Sequence, residues 1–379
     1  MSAAVDRDIT AITVFLCGDV MLGRGIDQVL PHPSDPRLYE PYMKTAHGYV
    51  ELAAAANGPI PAPVDFSYIW GDALAAFARM APDVRLINLE TAVTTSDAYW
   101  PDKRIHYRVH PANIPCLSAA QIDCCVLSNN HVLDWGYAGL AETLATLRSV
   151  PVQTAGAGRN LQEAAAPAAL EVTGKGRVLV WAFGAETSGI PRRWAATQDT
   201  PGVHLLKDLS ATTVREIADT VHQCKQDRDI VVVSLHWGGN WGYSVPPEHM
   251  WFARKLLDEA GVDIIHGHSS HHPQGIEVFR EKPILYGCGD FLNDYEGISG
   301  YEAFRADLTF MYFVTMDPCT GKLQRFTMIP MQRKRLQATY APKAAAQWLR
   351  DMLHREGSRF GTQAVLHEDN TLTLQWRPQ

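Results

Sequence analysis

The sequence lacks several features that would each have indicated a distinct class of protein. No basic run is present and the formal net charge is −7, which argues against a nucleic-acid partner. Residues 1–8 are polar and lack the apolar core of a signal peptide, and the first apolar run, 11–17, is too short to cross a bilayer. The seven cysteines form no Cys-x-x-Cys pair, which favours a reducing compartment. We therefore expect a cytoplasmic protein without a membrane or nucleic-acid partner.

The apolar pattern predicts an α/β protein. Buried-strand patterns such as 230–235 alternate with amphipathic helices such as 213–224 as far as residue 265, and beyond it strands follow strands. That order predicts mixed sheets flanked by helices. We expect a single domain over 1–379, with loop-rich insertions near 31–65 and 185–209 and a C-terminal helix–hairpin extension at 340–379.

The most informative stretch is a histidine cluster. Four histidines fall within residues 266–272, directly after the apolar run 262–265, which is typical of a buried strand that opens into a loop. Neutral imidazole is a common ligand of transition metals, and a loop can direct several at one point. A solvated histidine-rich turn is the alternative interpretation.

Other predicted strand ends carry matching ligands. Polar groups follow four further buried strands, at Asp19, at Asn88 and Glu90, at Asn130 and His131, and at His236. Such ends converge at one edge of an α/β sheet, where carboxylate, amide and imidazole groups would suit Zn, Mn, Fe or Co. Taken singly, Asp19 could instead cap a helix, Asn130 could be a turn residue and His131 a buried structural histidine. Together they favour a metal site with space for two ions.

Seven short motifs follow one another along the chain: 18–24 (GDVMLGR), 88–90 (NLE), 128–136 (SNNHVLDWG), 156–158 (GAG), 236–238 (HWG), 267–271 (GHSSH) and 286–291 (YGCGDF). In this order they resemble the motifs of the CapA (poly-γ-glutamate capsule synthesis) family, a branch of the calcineurin-like metallophosphoesterases. The resemblance spans roughly residues 12–330. It implies a calcineurin-like metallophosphoesterase fold, with a central β-sandwich of mixed sheets flanked by helices and a site for two divalent ions (Mn, Zn, Fe, Co or Ca).

The resemblance also implies roles for individual residues. His131 takes the position of a general acid or substrate-polarising group, and Asp134, one helical turn later, would orient its imidazole. The ligands of the first metal would be Asp19, Glu90 and His271, and those of the second would be Glu90, as the bridge, with Asn130, His236 and His268.

The chain departs from the metallophosphoesterase pattern at three positions. Met21 stands where those enzymes have a histidine ligand, Glu90 replaces a bridging aspartate, and Asp290 stands where the family usually has asparagine. Loss of a histidine ligand leaves the first metal short of a donor, which His266 or His272 would then have to supply. Ordinary phosphoester hydrolysis is therefore disfavoured relative to other metal-dependent chemistry.

Three functions fit these observations. The leading hypothesis is a metal-dependent peptide epimerase, similar to soluble relatives in lasso-peptide biosynthesis, that acts on an α-carbon of a peptide or precursor peptide. The first alternative is a hydrolase or synthesis factor for poly-γ-glutamate or a phosphoester. The second is a binding protein that retains the fold but little metal. Candidate substrate-binding residues are Arg24, Arg104, Arg108 and Trp237, for which surface ion pairs or core packing are the alternative.

Overall fold

Two β-sheets packed face to face form the centre of the protein, and helices cover their outer faces. The computed structural model describes residues 10–377; the polar stretch 1–8, on which the expectation of no signal peptide rests, lies outside the described residues. Among the described residues, no helix combines the length and apolar character that crossing a membrane requires.

The strands are numbered in chain order. They are β1 (Ile12–Val20), β2 (Val84–Leu89), β3 (Ala92–Val93), β4 (Arg108–Val109), β5 (Cys124–Val126), β6 (Gln153–Ala155), β7 (Ala157–Gly158), β8 (Ala168–Val172), β9 (Gly176–Gly184), β10 (Gly202–Val203), β11 (Ile230–His236), β12 (Ile264–His268), β13 (Ile276–Phe279), β14 (Lys282–Leu285), β15 (Asp290–Leu292), β16 (Leu308–Asp317), β17 (Lys322–Arg333), β18 (Ala338–Tyr340), β19 (Thr362–Leu366) and β20 (Leu372–Trp376).

The α-helices lie between these strands. They are α1 (Gly25–Val29), α2 (His47–Asn57), α3 (Ala73–Met80), α4 (Pro115–Ala119), α5 (Gly136–Arg148), α6 (Leu161–Ala165), α7 (Ala211–Cys224), α8 (Pro247–Glu259) and α9 (Lys343–Gly357).

The first sheet is mixed and has β1 near its centre. Its strand order is β19-β20-β17-β16-β1-β2-β5-β6, with β15 paired to β1 and β18 to β17. β1 runs parallel to β2 and β15 but antiparallel to β16. The carboxyl ends of β1, β2 and β5 therefore lie at one edge of this sheet. The C-terminal hairpin β19–β20 joins the opposite side of the same sheet through β17.

The second sheet has the order β13-β14-β12-β11-β9-β8, and its centre is parallel. Alternate residues of the central strands point to opposite faces. Val14 and Leu16 of β1 share one buried cluster with Val232 of β11 and Ile264 of β12, which is the interior of the sandwich. Phe15 of β1 belongs instead to the cluster beneath the helices on the outer face. The predicted α/β fold class, with a central β-sandwich of mixed sheets flanked by helices, is confirmed.

One predicted loop region contains a helix. The insertion near 31–65, expected to be loop-rich, includes the eleven-residue helix α2. Its alanine-rich sequence favours helix but shows little of the apolar periodicity by which a surface helix is recognised. Three residues of this helix, Gly48, Tyr49 and Ala53, are buried against the rest of the protein. Tertiary packing therefore stabilises a helix that the apolar pattern does not reveal.

Candidate metal centre

The strand pairing brings the predicted ligands together from both sheets. In the first sheet, Asp19 of β1 lies in register with Asn88 of β2 on one side and with Asp290 of β15 on the other. In the second sheet, His236 of β11 lies beside His268 of β12. The first sheet thus contributes the carboxylates and the second the imidazoles, as the expected convergence of strand ends requires.

Two groups of ligand atoms lie close enough to hold a cation. One consists of Asp19, His236 and His268, and the other of Asp19, His271 and Asp290. Within each group the ligand atoms lie within 4.8 Å of one another, and all five side chains are buried. Asp19 belongs to both groups, so its carboxylate is placed to be shared.

Glu90 and Asn130 lie beside the first group. Glu90 Oε1 is 3.9 Å from His236 Nε2, and Asn130 Oδ1 is 3.0 Å from the same nitrogen. Asn88 donates to Asp19 Oδ1 at 2.8 Å and accepts from Asn129 at 3.0 Å, which fixes the central carboxylate. The six predicted ligands are therefore assembled in one place, but Asp19 rather than Glu90 is common to the two groups.

Asp290 is a functional candidate that the sequence analysis recorded only as a departure from the family pattern. Its Oδ1 lies 2.9 Å from His271 Nδ1, and it stands directly beside Asp19 in the sheet. Asp290 is thus placed where it could supply the donor that Met21 cannot. The predicted replacements are not so placed: His266 belongs to neither cation-binding group, and its Nε2 contacts the Cys17 carbonyl at 2.7 Å.

His272 is likewise held away from the centre. Its Nε2 accepts from the backbone N–H of Gly242 at 3.0 Å, and its Nδ1 lies 3.1 Å from the Pro273 carbonyl. Both nitrogens are used by the loop backbone, which leaves no lone pair for a cation. The expectation that His266 or His272 replaces the missing ligand is therefore wrong.

The electrostatics of the centre fit a divalent cation. Burial, and then Asp290, raises the pKa of Asp19 to about 7, and burial and Asp19 raise the pKa of Glu90 well above its ordinary value. Burial and neighbouring imidazoles lower the pKa values of His236 and His268. A bound cation would stabilise the ionised form of these crowded, buried carboxylates. It would also bind the lone pairs that the neutral imidazoles offer.

His131 and Asp134 are paired as predicted. His131 Nδ1 lies 2.6 Å from Asp134 Oδ2, and that oxygen also accepts from the backbone N–H of Tyr107. Because a carboxylate can only accept, this contact places a proton on Nδ1 and leaves Nε2 as the acceptor. Nε2 lies 3.7 Å from Glu90 Oε1, which directs it toward the metal centre.

Lys103 is a residue of this site that the sequence analysis missed. It donates to Asp134 Oδ1 and to the Asn130 carbonyl oxygen, and its Nζ lies 3.0 Å from His131 Nδ1. Burial and Lys103 together lower the pKa of His131, while burial raises the pKa of Asp134 to about 6. Lys103 lies in an irregular loop, and no pattern in the sequence links it to His131.

The pair formed by Lys103 and Asp134 should contribute measurably to stability. A Lys103→Met variant leaves the buried carboxylate without its cation, and we expect unfolding free energy to fall by about 3 kcal/mol, the lower end for a broken buried pair. Denaturant titration measures the loss. A Lys103→Met/Asp134→Asn double variant should recover part of it, and strictly additive effects would show that the two groups are not coupled.

The predicted substrate-binding arginines differ in their exposure and in their ion-pair partners. Arg24 is buried between Glu40 and Asp294 and packs over Tyr49, so its charge is already neutralised. Arg108 pairs with Asp97 and stacks on Trp135 with 4.0 Å to the ring centroid. Arg104 is exposed. For Arg24 and Arg108 the ion-pair alternative describes the structure, although Arg24 still borders a cavity beside His271.

Trp237 belongs to the core. It is 2% exposed, donates from Nε1 to the Tyr286 carbonyl at 3.0 Å, and stacks on His249 at 4.2 Å. A side chain enclosed in this way cannot form the wall of an open groove. The structure therefore supports the core-packing alternative for Trp237 and not the predicted substrate contact, because the side chain belongs to a buried apolar cluster.

The histidine beneath Trp237 predicts acid sensitivity of the fold. Burial lowers the pKa of His249 to about 4. The unfolded chain takes up this proton near pH 6.5, so the stability from neutral His249 is complete above that pH and is lost as pH falls toward 4, by up to about 3 kcal/mol. His249→Phe keeps the ring stack without the titration, so its melting temperature should fall less between pH 7 and 4.5; parallel curves for the two proteins would contradict this.

Comparisons with known proteins show which proteins this chain is similar to. The model of the family described as "Bacterial capsule synthesis protein PGA_cap" matches residues 13–295. The chain is similar to a probable polyglutamine synthesis accessory protein of Mycobacterium tuberculosis, with 47% identity over 364 residues and 96% of each chain covered. It is also similar to the PGA biosynthesis protein CapA of Bacillus subtilis, with 27% identity over 94% of this chain and 80% of the relative. A solved structure described as a novel phosphatase of Mycoplasma pneumoniae matches with TM-score 0.49 and 11% identity, over 86% of this chain and 94% of that one.

Proposed function

The chain belongs to the bacterial capsule synthesis protein PGA_cap family, and from this we propose that it is a metal-dependent hydrolase of glutamyl polymers. The observation that carries the proposal is the arrangement of two cation-binding groups around Asp19, with the His131 imidazole directed toward them. The relatives are named for the synthesis of glutamate polymers, which supports the alternative raised from the sequence rather than α-carbon epimerisation.

In the proposed reaction the metal ligands, His131 and Asp134 have separate roles. Asp19, His236 and His268 would hold one divalent ion and Asp19, His271 and Asp290 a second. When bound, such ions would supply Lewis-acid activation of water or of a carbonyl oxygen. His131 Nε2, neutral at pH 7, takes a proton from the attacking water and returns it to the leaving amide nitrogen. Asp134 holds the ring in the orientation that this transfer requires.

The test uses the purified full-length protein and γ-linked glutamate oligomers of defined length. We expect shorter chains to accumulate in the presence of added Mn²⁺ or Zn²⁺, as measured by mass spectrometry, and EDTA to stop the reaction. Cleavage that continues in EDTA, or no cleavage with any divalent ion, would contradict the proposal. Release of phosphate from p-nitrophenyl phosphate, without cleavage of the oligomers, would identify phosphoester hydrolysis instead.

The same incubation, carried out in D₂O, tests the epimerisation hypothesis. Hydrolysis leaves the α-carbon untouched, so the products should contain no deuterium at that position. Deuterium at an α-carbon in uncleaved oligomers would show that the site removes an α-proton, and the hydrolase assignment would then be wrong.

A further inference from the structure

A cavity of about 470 Å³ adjoins the candidate metal centre. Its lining includes His271, Arg333 and Arg305 together with two aromatic residues, Trp241 and Tyr301. Because His271 belongs to the second cation-binding group, a molecule that reaches this group can extend into the cavity. The inference below rests on the proposed function and specifies how its substrate is held.

Arg333 has an unsatisfied donor in this position. The residue ends β17 and is 3% exposed, and its Nη1 donates to the backbone oxygen of Asp290. Its Nη2 is buried and has no hydrogen-bond partner among the described residues. Buried guanidinium groups are ordinarily fully hydrogen-bonded, so an open donor here indicates a place for an acceptor that the chain itself does not supply.

The other arginines of the cavity are already paired. Arg305 holds both carboxylate oxygens of Asp307 at 2.8 and 2.9 Å, and Arg24 is bound to Glu40 and Asp294. Among the arginines that line the cavity within residues 10–377, Arg333 is the one that forms no ion pair with a carboxylate side chain. Asp290, Asp307 and Glu296 lie near enough to act on its charge, but none of them accepts a hydrogen bond from its Nη2, which is left for an anionic ligand.

The wall of the cavity suits a short aliphatic chain. Trp241 and Tyr301 stack with ring centroids 3.9 Å apart and planes 7° from parallel, and 43% of Tyr301 remains exposed. A flat aromatic surface of this kind packs well against methylene groups. A γ-linked glutamate residue combines two side-chain methylenes with one free carboxylate, so it offers one group to the aromatic surface and another to the guanidinium.

We propose that the cavity is a binding subsite in which Arg333 anchors a carboxylate of the glutamyl polymer while the aromatic wall contacts its methylenes. The planar guanidinium matches a carboxylate in geometry as well as charge. Arg333 positions the polymer relative to the metal centre and takes no part in proton transfer.

Isothermal titration calorimetry with tri-γ-glutamate, and with the same peptide carrying α-carboxamides, tests this assignment. Wild-type protein should bind the acid at least about tenfold more tightly than the amide, since a charge-assisted hydrogen bond is lost. Arg333→Met should bind the acid at least about tenfold more weakly and should no longer distinguish it from the amide. Lys334→Met is the matched control, because it removes the same charge from the adjacent exposed residue and should leave the affinity ratio unchanged.

Each outcome decides the inference without reference to turnover. Equal affinity of the acid and the amide for wild-type protein would overturn it, and that measurement stands even if Arg333→Met fails to fold. Equal losses in Arg333→Met and Lys334→Met would overturn it by showing only a long-range charge effect. Binding of inorganic phosphate that depends on Arg333, without such dependence for the tripeptide, would overturn the choice of carboxylate. If the subsite is confirmed but no oligomer is cleaved, the hydrolase proposal alone fails.

Discussion

Replacement of His131 by alanine is expected to abolish turnover while the protein keeps its metal. His131 Nε2 faces the centre, but the two cation-binding groups are complete without it. Loss of a general acid–base group lowers a rate by about 10²- to 10⁴-fold. Oligomer cleavage measured by mass spectrometry, together with elemental analysis of the dialysed protein, gives both quantities from one preparation.

Two further variants make the His131 result interpretable. His222→Ala removes an exposed histidine on α7 and should change neither rate nor metal content. Asp134→Asn keeps most of the contact geometry but cannot hold the Nδ1 proton in the same way, so a smaller loss of rate is expected. If His131→Ala loses metal in proportion to its loss of rate, His131 is a ligand and its assigned role is wrong.

Substitution of Asp19 should have the largest effect on metal content. Its carboxylate is common to both cation-binding groups, so Asp19→Ala is expected to bind neither ion. His268→Ala and Asp290→Ala each remove a donor from one group, so each should reduce the metal content by about one ion per chain relative to wild-type protein. Elemental analysis after dialysis against dilute Mn²⁺ or Zn²⁺ distinguishes the three variants.

The Glu90→Ala variant tests whether Glu90, as in the family pattern, or Asp19, as in the geometry of this chain, is the residue shared by the two ions. If Glu90 bridges the ions, as the resemblance implies, its loss should remove metal and activity together, as for Asp19→Ala. If Asp19 alone is shared, Glu90→Ala should retain more metal than Asp19→Ala. Retention of both ions in Asp19→Ala would contradict the arrangement described here.

Strand patterns were sufficient to predict part of the candidate metal centre, because apolar runs and the polar residue that ends each run are local in sequence. Asp19 and His236 could be found in this way, whereas His268 was chosen from the histidines at 266–272 through the family resemblance. Asp290 could not be assigned as a ligand, because its proximity to Asp19 depends on the parallel pairing of β15 with β1, about 270 residues apart.

Residues outside regular elements were harder to interpret. Lys103 reaches Asp134 from a loop, and neither residue type nor spacing identifies such a contact. Arg24 and Arg108 have the chemistry of carboxylate-binding residues, but their partners, among them Asp294 and Asp97, are brought to them by the fold. A basic residue in a sequence shows what it can bind, whereas only the tertiary structure shows whether that capacity is already used.

The division of donors between the two layers has a consequence for how the protein is held together. Each cation-binding group takes at least one carboxylate from the first sheet and one imidazole from the second sheet or the loop that follows it. A bound ion would therefore cross-link the halves of the sandwich at the edge where their apolar interior ends. Ions that bind only the folded chain add to its stability. Chelation of ions from the candidate metal centre would therefore lower the stability of both sheets.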